Sequence, residues 1–204
     1  MATDPRGQWL ALAPTATAPL FFALDASWWI GGGCALDLCL GTQTPQKRLG
    51  IAVLRREQDA VRSHLAAWDL QALQTGALTP WPTHERLAHD RTVVWGRTAA
   101  YLPWQLEIRV ENTEAQEWVY AADERVRLPL QALGLETADG IPFLRPEVAL
   151  LYLAGEPDGE TPFDAGREPD VRAIAAKLTA TGRSWLRDAL AITQPGHCWI
   201  TLLD

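Results

Sequence analysis

The sequence predicts an α/β fold in which helices flank a mixed β-sheet and a helical part ends the chain. A short apolar strand at 28–30 runs through three glycines into a helix, and a second apolar strand follows at 51–54. Strand-like alternation then dominates the middle of the chain, and helical spacing dominates after Pro146. With 204 residues the chain can bury a substantial core. We expect an α/β domain at 1–145 with a helical part at 146–204 packed on it.

Apolar spacing predicts three helices in the first third of the chain, at 17–26, 34–40 and 57–68. The helix at 34–40 is apolar all round, which predicts that it is buried, and Gly41 ends it. Before the first helix, Trp9 and Leu10 are the candidate anchor of a mixed N-terminal segment. The first third should therefore supply two strands and the helices that cover them.

Alternation of apolar and polar residues predicts the strands in the middle of the chain. In 105–110, Leu106, Ile108 and Val110 face one way and polar residues face the other. Further strands are predicted at 70–73, 91–96, 117–121 and within 123–128, and short extended pieces flank a turn at 139–140. The segment 75–84 is rich in glycine and proline and is predicted to form turns.

The last third is predicted to be helical. Pro146 suits the first position of a helix that runs to residue 154. A loop at 155–169 separates it from helices at 170–179, which Asp170 caps, and 184–192. An apolar tail at 199–203 is expected to pack on the rest of the chain.

Charge and cysteine content exclude several classes of function. The net charge is −7 and no basic run exceeds two residues, so we expect no nucleic-acid partner. The apolar run at 19–30 contains Asp25 and is too short to span a bilayer, so we expect no membrane association. The three cysteines match neither a disulfide framework nor a zinc pattern, which favours a reduced, cytoplasmic compartment.

The glycines at the start of the second helix carry the first functional signal. Glycine at this place lets a phosphate approach backbone N–H groups at the positive end of the helix dipole. The stretch "WWIGGG", followed by "ALDL" and "VLRR", resembles the aminoglycoside nucleotidyltransferase family of the nucleotidyltransferase superfamily. The resemblance resumes at "IPFLRPEVALLYLA", "RSWLRDAL" and "PGHCW". It implies a nucleotidyltransferase-like fold, Mg²⁺ and ATP as cofactors, and four nucleotide-binding residues: Gly31, Gly32, Gly33 and Thr44.

The same resemblance implies acidic residues that this chain lacks. Nucleotidyl transfer uses carboxylates to hold divalent metal against the triphosphate. In the family, an Asp-x-Asp/Glu pair precedes "VLR", and counting back from Val53 places the pair on Arg48 and Gly50. No acidic residue lies between Asp37 and Glu57, so no shift of register restores the pair. An arginine at the first position would repel Mg²⁺.

A third family carboxylate matches Glu107, with Glu111 as the second choice. Glu107 is therefore the candidate catalytic residue and metal ligand, although a solvated strand face remains the alternative for both glutamates. Leu153 stands where the family has a lysine. Asp37, in the "ALD" motif, is expected to be a structural hydrogen-bond partner.

Other catalytic patterns are weaker. His84 and His89 lie five positions apart, about 140° around a helix, so they do not form a metalloprotease pair and favour a loop. Leu36 interrupts a dinucleotide-binding glycine pattern, and the chain has no Gly-x-Ser-x-Gly.

Two functional hypotheses remain. The first is a pseudoenzyme, with the fold but not the transfer reaction, which binds a small-molecule ligand or an unknown protein partner. The second is an active enzyme that transfers AMP from Mg-ATP to a hydroxyl of an aminoglycoside-like small molecule. Either way, Arg48, Gly50 and Glu107 should lie together beside the glycines at the mouth of a cleft.

Overall fold

The structure is a computed structural model that describes residues 6–155 and 168–204. Within them, ten strands build the fold: β1 (Trp28–Gly31), β2 (Gly50–Leu54), β3 (Asp69–Gln74), β4 (Ala77–Pro80), β5 (Val93–Arg97), β6 (Leu106–Glu114), β7 (Glu117–Val119), β8 (Arg127–Pro129), β9 (Gly134–Glu136) and β10 (Pro142–Leu144). Eight of them follow the order β4-β3-β5-β6-β2-β1-β10-β9, and β7 and β8 extend from β6.

The sheet is mixed, as predicted. β2 runs antiparallel to β1 and parallel to β6, and β1 runs parallel to β10. The strands expected near residues 28, 51, 91 and 105 therefore lie in one sheet.

Six α-helices in the described ranges accompany the sheet: α1 (Thr17–Phe21), α2 (Gly32–Leu40), α3 (Gln58–His64), α4 (Pro146–Ala154), α5 (Glu168–Ala175) and α6 (Ala180–Thr193). α2 is the helix that the apolar pattern predicts, and it packs against α4. Its residues Cys34, Ala35 and Leu36 are buried, and Gly41 ends it in the left-handed conformation at φ 71°. No helix in the described ranges has both the length and the apolar character needed to cross a bilayer.

The two faces of the sheet have different characters because side chains alternate along each strand. Ile30, Ile51 and Ile108 point into the main core and are fully buried. The opposite face carries Gly50 and Glu107, which are paired across β2 and β6. This second face, which we call the polar face, holds the residues that the sequence singles out for function.

One strand of the sheet, β4, is not predicted by the sequence. The segment 75–84 was predicted to form turns, but its residues Ala77–Pro80 form β4. Thr75 at φ 46° and Gly76 at φ 81° form the two-residue loop of a hairpin with β3. Pro80 has no N–H to donate to a neighbouring strand. It is tolerated because β4 lies at the edge of the sheet.

The boundaries of three helices also differ from the prediction. The helix expected at 17–26 is α helical only to Phe21, and the one expected at 57–68 ends at His64. α6 begins four residues early because Thr179 caps it: its hydroxyl accepts a hydrogen bond from Gly182 N at 3.1 Å.

The C-terminal predictions are partly tested. α4 has the predicted bounds, and the apolar tail packs on the core, with Trp199 and Leu203 each 1% exposed. The predicted loop at 155–169 lies mostly outside the described residues. The division of the chain after residue 145 stays a prediction.

Candidate functional site

The strand register brings the residues predicted for the site together. Gly31 lies opposite Gly50 across β1 and β2, and Gly50 lies opposite Glu107 across β2 and β6. The backbone N–H of Glu107 also donates to the carbonyl of Leu49, at 2.9 Å. Gly31, the start of β2 at Gly50, and Glu107 thus lie side by side on the polar face.

Arg48 forms an ion pair with Glu107 at this place. Its Nη1 donates to Glu107 Oε2 at 2.9 Å, and the side chains are 27% and 7% exposed. The other carboxylate oxygen of Glu107 lies 3.5 Å from Arg109 Nη2. The solvated alternative is wrong for Glu107, because its carboxylate is buried between two guanidinium groups.

These side chains do not fit a Mg²⁺ ion. Magnesium requires near-octahedral oxygen ligands, several of them anionic or water. Among the described residues, no group of three or more His, Cys, Asp and Glu side chains is placed to hold a metal. Here the single carboxylate of Glu107 lies beside two guanidinium groups, those of Arg48 and Arg109.

Aromatic rings surround Arg48. Its guanidinium carbon lies 5.1 Å from the centre of the Trp9 ring and 5.0 Å from that of Trp95. The two rings meet edge to face, 4.9 Å apart, and Trp95 is the β5 partner of Glu107. The pair of indoles therefore fixes Arg48 on the polar face by cation–π contact.

Trp9 reaches this place on an N-terminal segment, residues 6–12, that we call the strap. Backbone hydrogen bonds hold it beside Trp104: Leu10 N donates to Trp104 O at 2.8 Å, and Trp104 N donates to Gln8 O at 2.8 Å. Of the predicted anchor residues Trp9 and Leu10, only the side chain of Trp9 packs on the rest of the protein, because Leu10 is 67% exposed.

The loop after α2 is organised by Asp37. Its carboxylate accepts hydrogen bonds from Thr42 Oγ1, Thr44 Oγ1 and Gln46 Nε2, at 2.8 to 3.0 Å. Partial burial acts to raise the pKa of Asp37, but these hydrogen bonds outweigh it and lower the pKa on balance. The expected structural role of Asp37 is confirmed.

Side chains of this protein already contact part of the predicted nucleotide-binding site. The Gln46 side chain covers Gly33 so closely that a Cβ there would lie 2.2 Å from Gln46 Oε1. Thr44 is held by Asp37 through both its backbone N–H and its hydroxyl. Gly32, at φ 59°, has open space where a Cβ would be.

Glu111 lies deeper on the same face and is not solvated either. One of its oxygens accepts hydrogen bonds from Trp118 Nε1 at 2.7 Å and Tyr152 OH at 2.5 Å. Burial raises the pKa of Glu111, and the two hydrogen bonds only partly oppose this. Arg109 lies over the Tyr152 ring, 4.9 Å from its centre, and links Glu107 to this network.

The remaining candidates lie elsewhere. His84 and His89 are exposed and lie in turns, as the loop interpretation expects. Leu153 packs against the core as a partly buried side chain. A shallow depression of about 300 Å³ is lined by residues of α6 and the chain end, none of which belongs to the site.

Comparison with known proteins supports the fold. No family model and no curated protein matches this sequence. A crystal structure of ANT(2″)-Ia in complex with adenylyl-2″-tobramycin is similar over 88% of this chain and 97% of that one, with a TM-score of 0.55 and 13% identity. A solution structure of the antibiotic-resistance factor ANT(2″)-Ia covers 88% and 94%, with a TM-score of 0.51 and 16% identity.

A lincomycin-bound crystal structure of the lincosamide antibiotic adenylyltransferase LnuA is also similar. It covers 80% of this chain and 95% of that one, with a TM-score of 0.50 and 15% identity. The chain therefore has the fold of aminoglycoside and lincosamide adenylyltransferases, and at these identities the likeness concerns the fold alone.

Proposed function

We propose that the protein is a nucleotidyltransferase-fold binding protein that does not catalyse metal-dependent nucleotidyl transfer. Its polar face binds a small-molecule ligand, with a protein partner as the other occupant to test. The ion pair between Arg48 and Glu107 is the observation that carries this proposal, because it lies where the resemblance would place metal-binding carboxylates.

Electrostatics supports the proposal. The guanidinium of Arg48 carries a positive charge, so it opposes a divalent cation at this place. Glu107, the candidate metal ligand, already has its charge compensated by Arg48 and Arg109. Binding Mg²⁺ would require breaking this partly buried pair and placing two like charges close together, which is unfavourable.

The active-enzyme hypothesis keeps one supporting observation, which is the position of Glu107 beside Gly50 in the strand register. For transfer of AMP from Mg-ATP, Arg48 would have to swing away and further oxygen ligands would have to come from water and the triphosphate. The Gln46 side chain would also have to leave Gly33 if phosphate were to approach the start of α2.

A turnover assay tests the proposal. Purified protein is incubated with ATP, MgCl₂ and either tobramycin or lincomycin, and adenylylated product is measured by mass spectrometry. We expect no product above a reaction without protein, because two ligand positions lack carboxylates and a single carboxylate does not hold the Mg²⁺–triphosphate.

ANT(2″)-Ia with tobramycin serves as the positive control for the assay. A wild-type protein that adenylylates either acceptor, with the activity abolished in Glu107→Ala, would contradict the proposal and support the enzyme hypothesis. Activity that survives in Glu107→Ala would be assigned to a contaminant.

A further inference from the structure

We propose that the surface around Arg48 is a metal-independent binding site for an oxyanion, the phosphate or carboxylate group of a small molecule. The site combines Arg48 with the indole N–H groups of Trp9 and Trp95. This inference rests on the proposed function, because it requires direct contact between the anionic group and the protein with no metal ion between them.

Arg48 offers hydrogen-bond donors that the described part of the chain does not use. Only its Nη1 donates to a described residue, Glu107. The Nε and Nη2 edge remains, and this fork matches two oxygens of a phosphate or carboxylate. Because the side chain is 27% exposed, a ligand can reach it without displacing the sheet.

The two indoles add donors that lack an acceptor. Trp9 Nε1 and Trp95 Nε1 are buried and have no hydrogen-bond partner among residues 6–155 and 168–204. Several other indoles do find one: Trp81 and Trp104 donate to backbone carbonyls at 2.7 Å, and Trp118 donates to Glu111. Buried donors left unmatched are unfavourable and uncommon, so their presence beside Arg48 indicates an acceptor-rich ligand.

The charges near the site suit an anion. Glu107 would repel it, but Arg48 and Arg109 compensate that carboxylate from two sides. The guanidinium of Arg6 lies over Trp95, 4.8 Å from the ring centre, and adds a further positive group from the strap. A face that binds Mg²⁺ in a metal-dependent transferase would here bind the anion itself.

Calorimetric titration of the full chain tests the site with two probes, sodium pyrophosphate for a phosphate and sodium benzoate for a carboxylate, at constant ionic strength with EDTA. We expect saturable binding of at least one probe to the wild type. Arg48→Gln should weaken it by about tenfold or more, because a charge-assisted contact is lost. Trp9→Phe keeps an aromatic ring, removes the N–H donor and should weaken binding by about fivefold.

Arg172→Gln is the matched control, since it removes one positive charge from an exposed ion pair on α5 and should leave binding unchanged. Absence of binding by both probes would overturn the inference, and so would wild-type affinity in both Arg48→Gln and Trp9→Phe. If Arg48→Gln fails to fold by circular dichroism, the Trp9→Phe result decides alone. Binding that appears only when MgCl₂ replaces EDTA would contradict both the oxyanion site and the proposed function. Absence of binding with either MgCl₂ or EDTA would contradict the oxyanion site alone.

Discussion

The double substitution Arg48→Asp with Gly50→Asp is expected to create a divalent-metal site. It places two carboxylates beside Glu107, which is the register partner of residue 50. The backbone permits the second change, because a Cβ at Gly50 would lie 3.6 to 3.9 Å from the backbone of Gly31 and Gly32, which is ordinary contact. Three clustered carboxylates should raise the affinity for Mg²⁺ by about tenfold or more, measured by calorimetric titration with MgCl₂.

The control for this gain is the same double variant with Glu107→Ala, which should lose it, since the third carboxylate is then missing. Arg48→Asp alone should bind Mg²⁺ more weakly than the double variant. A wild-type protein that binds Mg²⁺ as tightly as the double variant would show that the Arg48–Glu107 pair does not exclude the ion.

Replacing Trp118 by alanine is expected to give a large loss of stability. The ring is fully buried, and its Nε1 donates to the buried carboxylate of Glu111 at 2.7 Å. The substitution leaves a cavity and removes one of the two hydrogen-bond donors to a buried carboxylate oxygen, the other being Tyr152 OH. We expect the free energy of unfolding to fall by about 4 kcal/mol, measured by urea denaturation followed by circular dichroism.

One variant separates the lost hydrogen bond from the lost volume, and a second serves as a control. Trp118→Phe keeps most of the apolar volume but removes the N–H donor, and it should cost about 1–3 kcal/mol. Tyr101→Ala removes an aromatic side chain that is 87% exposed and should change stability very little, by about 0.5 kcal/mol at most. A loss in Trp118→Ala no larger than in Tyr101→Ala would contradict the packing described for this residue.

The parts of the fold that local chemistry dictates were predictable. The strand–glycine–helix–strand stretch combines short apolar runs with glycines, and α4 begins at a proline, so their sequence signals are self-contained. β4 was not predictable by the same reasoning. Its hairpin depends on Thr75 adopting a positive φ, which a residue with a branched side chain rarely does, and only pairing with β3 stabilises that conformation.

The sequence predicted that the candidate site residues lie together, but not the contacts that they make. Counting along the motif predicted that Arg48, Gly50 and Glu107 lie together, and the register pairs Gly50 with Glu107 across β2 and β6. The same sequence gave no sign that Trp9 lies against Arg48 or that Glu111 is bonded to Tyr152. Those contacts join residues 39 and 41 positions apart, and no local periodicity encodes such pairs.

Calorimetric titration of the wild-type protein with ATP, once with MgCl₂ and once with EDTA, tests the central claim most directly. If the Arg48–Glu107 ion pair excludes the metal, as proposed, the ATP affinity, or the absence of binding, should be the same under both conditions. A Mg²⁺-dependent gain in ATP affinity of tenfold or more would contradict the account.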